Sequence, residues 1–154
     1  MSPRRRPALD LRTVYDRLHD HHGGQAWWPA ETAFEVLVGA VLTQNTAWTN
    51  VERAIANLRT QGVLDAEAIV AAPHEALAGW IRPSGYFNVK AGRLKALCGW
   101  YLEHGGFERL NAWETAALRE SLLAVKGIGP ETADDIVLYA FHRPVFVIDA
   151  YTRR

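Results

Sequence analysis

The chain has 154 residues, of which 49% are apolar, with six tryptophans and 17 basic side chains balanced by 17 acidic ones. This is enough apolar mass for one compact domain or a small two-lobed one, and no run of 18 apolar residues could span a membrane. Zero net charge excludes the broad basic field of many DNA-binding domains, so a nucleic-acid partner would have to be held by local geometry.

Cys98 is the single cysteine, which excludes an intrachain disulfide and any four-cysteine zinc or iron–sulfur site built from these residues. With Leu94, Leu97 and Leu102 around it, Cys98 is expected in the core. The N-terminus carries Arg4, Arg5, Arg6 and Pro7 and lacks the apolar stretch of a signal peptide, so a cytoplasmic location is expected.

From Leu9 to about His19, the apolar residues Leu11, Val14, Tyr15 and Leu18 recur at helical spacing. His19, His21 and His22, followed by two glycines, are predicted to form a solvated loop. Apart from Asp20, no acid or thiol stands near them at metal-ligand spacing. Trp27-Trp28-Pro29 comes next. Phe34, Leu37, Val38, Val41 and Leu42 then form a core-facing stripe, opened by Thr32 and Glu35 in the spacing of a capping box.

The stripe stops at Thr43-Gln44-Asn45-Thr46. A second helix carries Val51, Ala54, Ile55 and Leu58 and ends at Gly62. Shorter helices fit residues 65–72, 73–81 and 89–104. Another spans 112–125, with Leu118, Leu122 and Val125 on one face. The next runs from Glu131 to Phe141, with Ala133, Ile136, Val137 and Ala140 facing inward. Pro144 to Ile148 is a short apolar run ending at Asp149; periodicity alone reads it as a buried strand, although it is too isolated in the chain to pair with anything. The fold class expected is all-α.

Between the last two long helices lies Val125-Lys126-Gly127-Ile128-Gly129-Pro130-Glu131-Thr132. Glycines permit the sharp turn, and proline suits the first position of a new helix. The amides of such a turn point outward together and attract an anion such as phosphate, with Lys126 beside them. The same residues could also do no more than join two helices.

The string from Val125 to Ala133 resembles the helix–hairpin–helix of the endonuclease III superfamily of DNA glycosylases. Three further stretches also resemble that superfamily: Phe34–Thr46, Gly85-Tyr86-Phe87-Asn88-Val89-Lys90-Ala91, and Pro144–Asp149 with Arg153. The resemblance implies a six-helix barrel over residues 31–144, with the hairpin at about 118–141. A discontinuous second lobe would be formed by residues 1–30 and 145–154. Double-stranded damaged DNA is the implied partner, bound by a monomer associated with the nucleoid, with no membrane involved. Lys126, Gly127, Ile128, Gly129, Glu131 and Thr132 would grip the phosphate backbone, and backbone carbonyls of the hairpin could hold a monovalent cation.

Asp149 aligns with the family's aspartate, which stabilises the positive charge that builds on the sugar and directs water to it. An N-cap role would also suit it. Glu131 occupies the position of the strand-cutting members' lysine. A carboxylate cannot form an imine, so a monofunctional enzyme is implied.

The segments around Trp27-Trp28-Pro29, Gln44-Asn45-Thr46, Arg82–Tyr86 and the hairpin look closest to bacterial 3-methyladenine DNA glycosylases of the endonuclease III type. Trp27 and Trp48 would then sandwich the flipped base, Trp28 and Pro29 would shape the wall, and Gln44 and Asn45 would fill the gap left in the duplex. Family members continue beyond the point matching Arg154. No cofactor is expected within this chain, and an iron–sulfur cluster, which Cys98 alone cannot form, could lie in a further C-terminal part. Two alternatives remain open: a relative acting on oxidised or mismatched bases, and a non-catalytic DNA-binding remnant.

Overall fold

A computed structural model describes residues 10–153 of the chain. Arg4, Arg5, Arg6, Pro7, Leu9 and Arg154 lie outside the described residues. Among the described residues nine α-helices follow in order: α1 Leu11–His22, α2 Ala33–Leu42, α3 Trp48–Thr60, α4 Ala66–Ala71, α5 His74–Trp80, α6 Phe87–Glu103, α7 Gly106–Asn111, α8 Thr115–Leu123 and α9 Pro130–Asp135. A 3-10 turn at Arg82–Ser84 precedes α6, and a π-helical turn at Ile136–Ala140 continues α9. No strand occurs among the described residues, and no helix there is long and apolar enough to cross a membrane.

Helix α2 is the centre. Its eight residues from Glu35 to Leu42 are all buried, so the stripe read from the sequence lies on a helix enclosed on every side. It packs against α3, α6, α9 and the π turn. Thr32 caps it by accepting the Glu35 N–H at 3.1 Å. The reciprocal half of a capping box is displaced: Glu35 accepts from the Glu31 N–H and pairs with Arg59 at 3.1 Å.

Helix α3 ends as the sequence requires. Gly62, at φ 67°, donates to Arg59 O, and the Val63 N–H reaches back to Leu58 O, both at 3.0 Å. This double bond satisfies two terminal carbonyls, and its left-handed position favours glycine.

Three expectations need correction. The histidines His19, His21 and His22 form the exposed last turn of α1, not a loop. Residues between the predicted helices 89–104 and 112–125 are not a plain connection: they hold α7, whose first residue Gly106 and preceding Gly105 both have positive φ. Residues 144–148 form no strand. Phe146 is 77% exposed and Ile148 50%, because no neighbouring backbone is available to complete a ladder.

Candidate functional site

The hairpin is anchored before it is functional. Ile128 is buried, and its N–H donates to Val125 O at 3.1 Å, so this residue fastens the turn to the core and has no amide to offer a ligand. That corrects its expected place among the phosphate contacts. Gly127 sits at φ 88°, and a Cβ there would overlap Arg93 Cγ and stand 2.7 Å from Cδ. Only glycine meets both demands. The N–H groups of Gly129, Glu131 and Thr132 have no protein acceptor among the described residues, and Lys126 is exposed beside them. This edge can receive an anion through dipoles, without a basic surface.

Gln44 and Asn45, grouped together in the sequence, part company in space. Gln44 turns inward: its Nε2 donates to Gly127 O at 3.1 Å and Thr132 Oγ1 at 3.0 Å, while Arg93 donates to its Oε1. It joins the end of α2 to the hairpin. Asn45 is exposed in a left-handed conformation at φ 53°.

A neighbouring loop presents Tyr86, 72% exposed and also left-handed at φ 44°. Lys90 ties the two loops together. It is 1% exposed, and its Nζ donates to Leu42 O at 2.8 Å and Ser84 O at 2.7 Å. Burial, assisted by the charge of Arg93, pushes its pKa down to about 8. Sequence reasoning missed both roles, although Lys90 stands four residues before Leu94 on the buried face of α6.

The aromatic wall also differs from the expected pair. Trp27 is 73% exposed, whereas Trp28 packs on the core. The Trp28 ring lies over Gly39, where an added Cβ would approach it at 3.3 Å. Trp48 meets the Trp28 ring edge-on at 5.3 Å between centroids, and Tyr139 lies tilted against it at 5.1 Å. The wall is therefore Trp48–Trp28–Tyr139, with Trp27 at the rim of an open cavity of about 770 Å³ lined also by Tyr15, Leu18 and Tyr139. Pro29 is exposed beside the wall. The Trp28 Nε1 is buried and has no hydrogen-bond partner among the described residues.

Carboxylates gather on the same side. The Thr152 N–H and hydroxyl each donate to Asp149 Oδ1 at 2.7 Å, and these bonds, the hydroxyl's foremost, hold the Asp149 carboxyl below its usual range. These bonds close a turn at residues 149–152 and favour the ionised carboxylate; no helix follows Asp149 among the described residues, so it caps none. Asp134, which is buried where Asp149 is not, pairs with Arg119 through two bonds of 2.6 and 3.0 Å.

Asp135 has no such partner. Burial first, then the charges of Glu131, Asp149 and Asp134, push its pKa up to about 7. The Glu131–Asp135–Tyr139 series at four-residue spacing is visible in the sequence but was not singled out. Cys98 is buried, and burial pushes its thiol up to about 12, so it is an inert core residue. No group of three or more His, Cys, Asp or Glu placed to hold a metal occurs among the described residues.

Comparison with known proteins places this geometry in context. Residues 38–154 match the model of the HhH-GPD superfamily base excision DNA repair proteins. The chain is 48% identical over 144 residues to a candidate DNA repair glycosylase of Methanocaldococcus jannaschii, covering 92% of this chain and 66% of that protein. It is 30% identical over 122 residues to endonuclease III of Thermotoga maritima, covering 79% of this chain and 54% of the relative. The chain thus spans about half to two-thirds of the length of these relatives.

Among solved structures, the 3-methyladenine DNA glycosylase of H. pylori bound to 1,N6-ethenoadenine superposes with a TM-score of 0.79 at 36% identity, covering 92% of this chain and 68% of that one. A non-covalent endonuclease III–DNA complex gives 0.76 at 22% identity, covering 92% and 64%, a likeness of fold. By the family match and the all-helical architecture together, the chain belongs to the HhH-GPD superfamily of base excision DNA repair proteins.

Proposed function

We propose that the chain acts as a monofunctional DNA N-glycosylase that flips alkylated purines, such as 3-methyladenine, out of damaged duplex DNA and hydrolyses them from the sugar. The observation that carries this reading is the pairing of an aromatic wall, Trp48–Trp28–Tyr139, with carboxylates that form no ion pair among the described residues, Glu131, Asp135 and Asp149. Alkylation gives the purine a formal positive charge, which stacked rings and nearby carboxylates favour. The likeness to a 3-methyladenine glycosylase supports the same substrate class.

In this reading the amides of Gly129, Glu131 and Thr132, with Lys126, hold the phosphate backbone. Asn45 and Tyr86, both exposed, enter the gap that the extruded base leaves. Trp27 and Pro29 close the rim around the base. Asp149 stays ionised near neutral pH, stabilises the cationic sugar as the C1′–N bond breaks, and orients the attacking water. Glu131 offers no amine. Of the chain's three lysines, Lys90 and Lys95 have their ammonium groups occupied by backbone carbonyls, and Lys126 lies with the hairpin amides assigned to phosphate. Hairpin carbonyls such as Val125 O would supply a monovalent cation with ligands. Residues 1–30 and 145–154 would contribute to a second lobe.

The test is incubation of the protein with methylated duplex DNA, with released bases measured and borohydride trapping run in parallel. Free 3-methyladenine without a covalent adduct is expected, and Asp149→Asn is expected to slow release about 100- to 1,000-fold. A trapped protein–DNA complex would overturn the monofunctional assignment. Intact methylated DNA would overturn the substrate assignment.

A further inference from the structure

Arg93 lies on α6 where that helix passes the hairpin, and it is a half-buried cation that no anion meets. Its side chain runs across Gly127, so close that a Cβ on the glycine would stand 2.8 Å from Arg93 Nε. The guanidinium donates to Gln44 Oε1, and the other end of that amide donates to Thr132 Oγ1 in the first turn of α9. One neutral side chain thus separates Arg93 from the residues whose free amides form the hairpin's edge.

The other cations that are buried or half-buried among the described residues are satisfied. Arg119 pairs with Asp134, Arg143 donates to Asn111 O, and Lys90 and Lys95 each donate to two backbone carbonyls. Arg93 makes no ion pair with any described residue, Glu131 of the hairpin included. Its field falls instead on a second cation, Lys90, whose pKa it helps to lower. A charge taken partly out of water is costly unless an opposite charge meets it. With one N–H engaged by Gln44, a guanidinium still offers a planar fork of donors that matches phosphate.

We infer that Arg93 is a phosphate-binding residue of the DNA interface, taking a backbone phosphate beside the one that the hairpin amides hold. The inference rests on the reading of the hairpin as a DNA clamp. Gln44 aims the guanidinium, and the bare Cα of Gly127 lets the arginine stem cross the turn. A phosphate contact of this kind adds affinity and fixes register without regard to base sequence.

The experiment measures binding of the whole chain to a fluorescently labelled duplex by anisotropy. KCl is varied from about 50 to about 200 mM, and the slope of log K against log salt counts the phosphates neutralised by side chains. Arg93→Gln removes the charge but keeps a donor for Gln44, and the slope should fall by about 1. Arg93→Lys keeps the charge and should hold the wild-type slope. Lys95→Met removes a charge from the same helix, where the ammonium is tied to Val70 O and Ala72 O, and should hold that slope too. Combined with Lys126→Ala, Arg93→Gln should lower the slope by about 2, because independent contacts add. Urea unfolding run alongside identifies a variant that does not fold, and Arg93→Met then serves as the charge-removing variant.

Parallel lines for wild type and Arg93→Gln would overturn the contact, as would an equal fall in Lys95→Met. A double variant with the slope of Arg93→Gln alone would also overturn it, because the loss would then come from a loosened hairpin. Each of these results leaves the hairpin reading intact. Absence of DNA binding by folded wild type would overturn that reading itself.

Discussion

Gln44 offers a direct test of how the hairpin is held. Gln44→Ala removes two donated bonds, to Gly127 O and Thr132 Oγ1, and leaves Arg93 without its acceptor. Neutral bonds are each worth about 0.5–1.5 kcal/mol and one to a charged group about 1.5–3. Gln44 is only partly buried, so water recovers some of this, and the expected loss is about 2–3 kcal/mol. In urea the unfolding midpoint should fall by about 1–2 M with an unchanged slope. The matched control is Asn45→Gly, next in sequence but exposed and already left-handed, for which a change within about 0.5 kcal/mol is expected. If the two variants unfold at the same midpoint, Gln44 is not a staple, and the assignment of the gap to Asn45 and Tyr86 loses its basis.

Three further outcomes follow from the same geometry. Gly127→Ala meets both the left-handed φ and the Arg93 side chain, so a loss of about 2–3 kcal/mol is expected in thermal or urea unfolding, accompanied by weaker DNA binding. Lys90 has a folded-state pKa of about 8 against 10.5 when unfolded. Between these values the unfolded chain binds more protons, so Lys90's contribution to stability rises with pH through that window. Wild type should therefore gain on Lys90→Met by about 1–2 kcal/mol between pH 8 and 10, measured as paired urea midpoints. Finally, amides neutralise no phosphate, so DNA affinity should depend weakly on salt, and Lys126→Ala should reduce the slope of log K against log salt by about 1. A slope typical of a basic DNA-binding domain would contradict the dipole-based grip.

The helices were legible because apolar spacing, caps and glycines all agreed. The stripes of α2, α3, α8 and α9 are buried where periodicity placed them. The run at 144–148 failed for the opposite reason: apolar composition cannot say whether a partner strand exists, and here none does. Residue type misled in the site as well. Gln44 and Asn45 are chemically alike and adjacent, yet one helical end turns them to opposite environments. Trp27 and Trp28 differ in the same way, and only Trp28 has a glycine, Gly39, to receive its ring. Tyr139 and Asp135 were missed because their significance is relational: Tyr139 matters through Trp28, across more than a hundred residues, and Asp135 through what Arg119 does for its neighbour.

That last relation bears on the chemistry of the whole cleft. A DNA-binding surface gains nothing from exposed acids, since phosphate approaches with the same sign. Yet Glu131, Asp135 and Asp149 lie close enough for their charges to act on one another, and Arg119, the cation that α8 supplies, is spent on Asp134. Such an arrangement is costly unless positive charge arrives with the substrate or develops during the reaction. Both happen when a glycosidic bond breaks: the sugar becomes cationic, and a methylated base is cationic from the start. A lysine at the position of Glu131 would serve as nucleophile and also offset this field. In the proposed monofunctional reading, glutamate offers no such nucleophile, adds to the field, and leaves water to complete the reaction. The charge of Glu131 also raises the proton affinity of Asp135, one turn away.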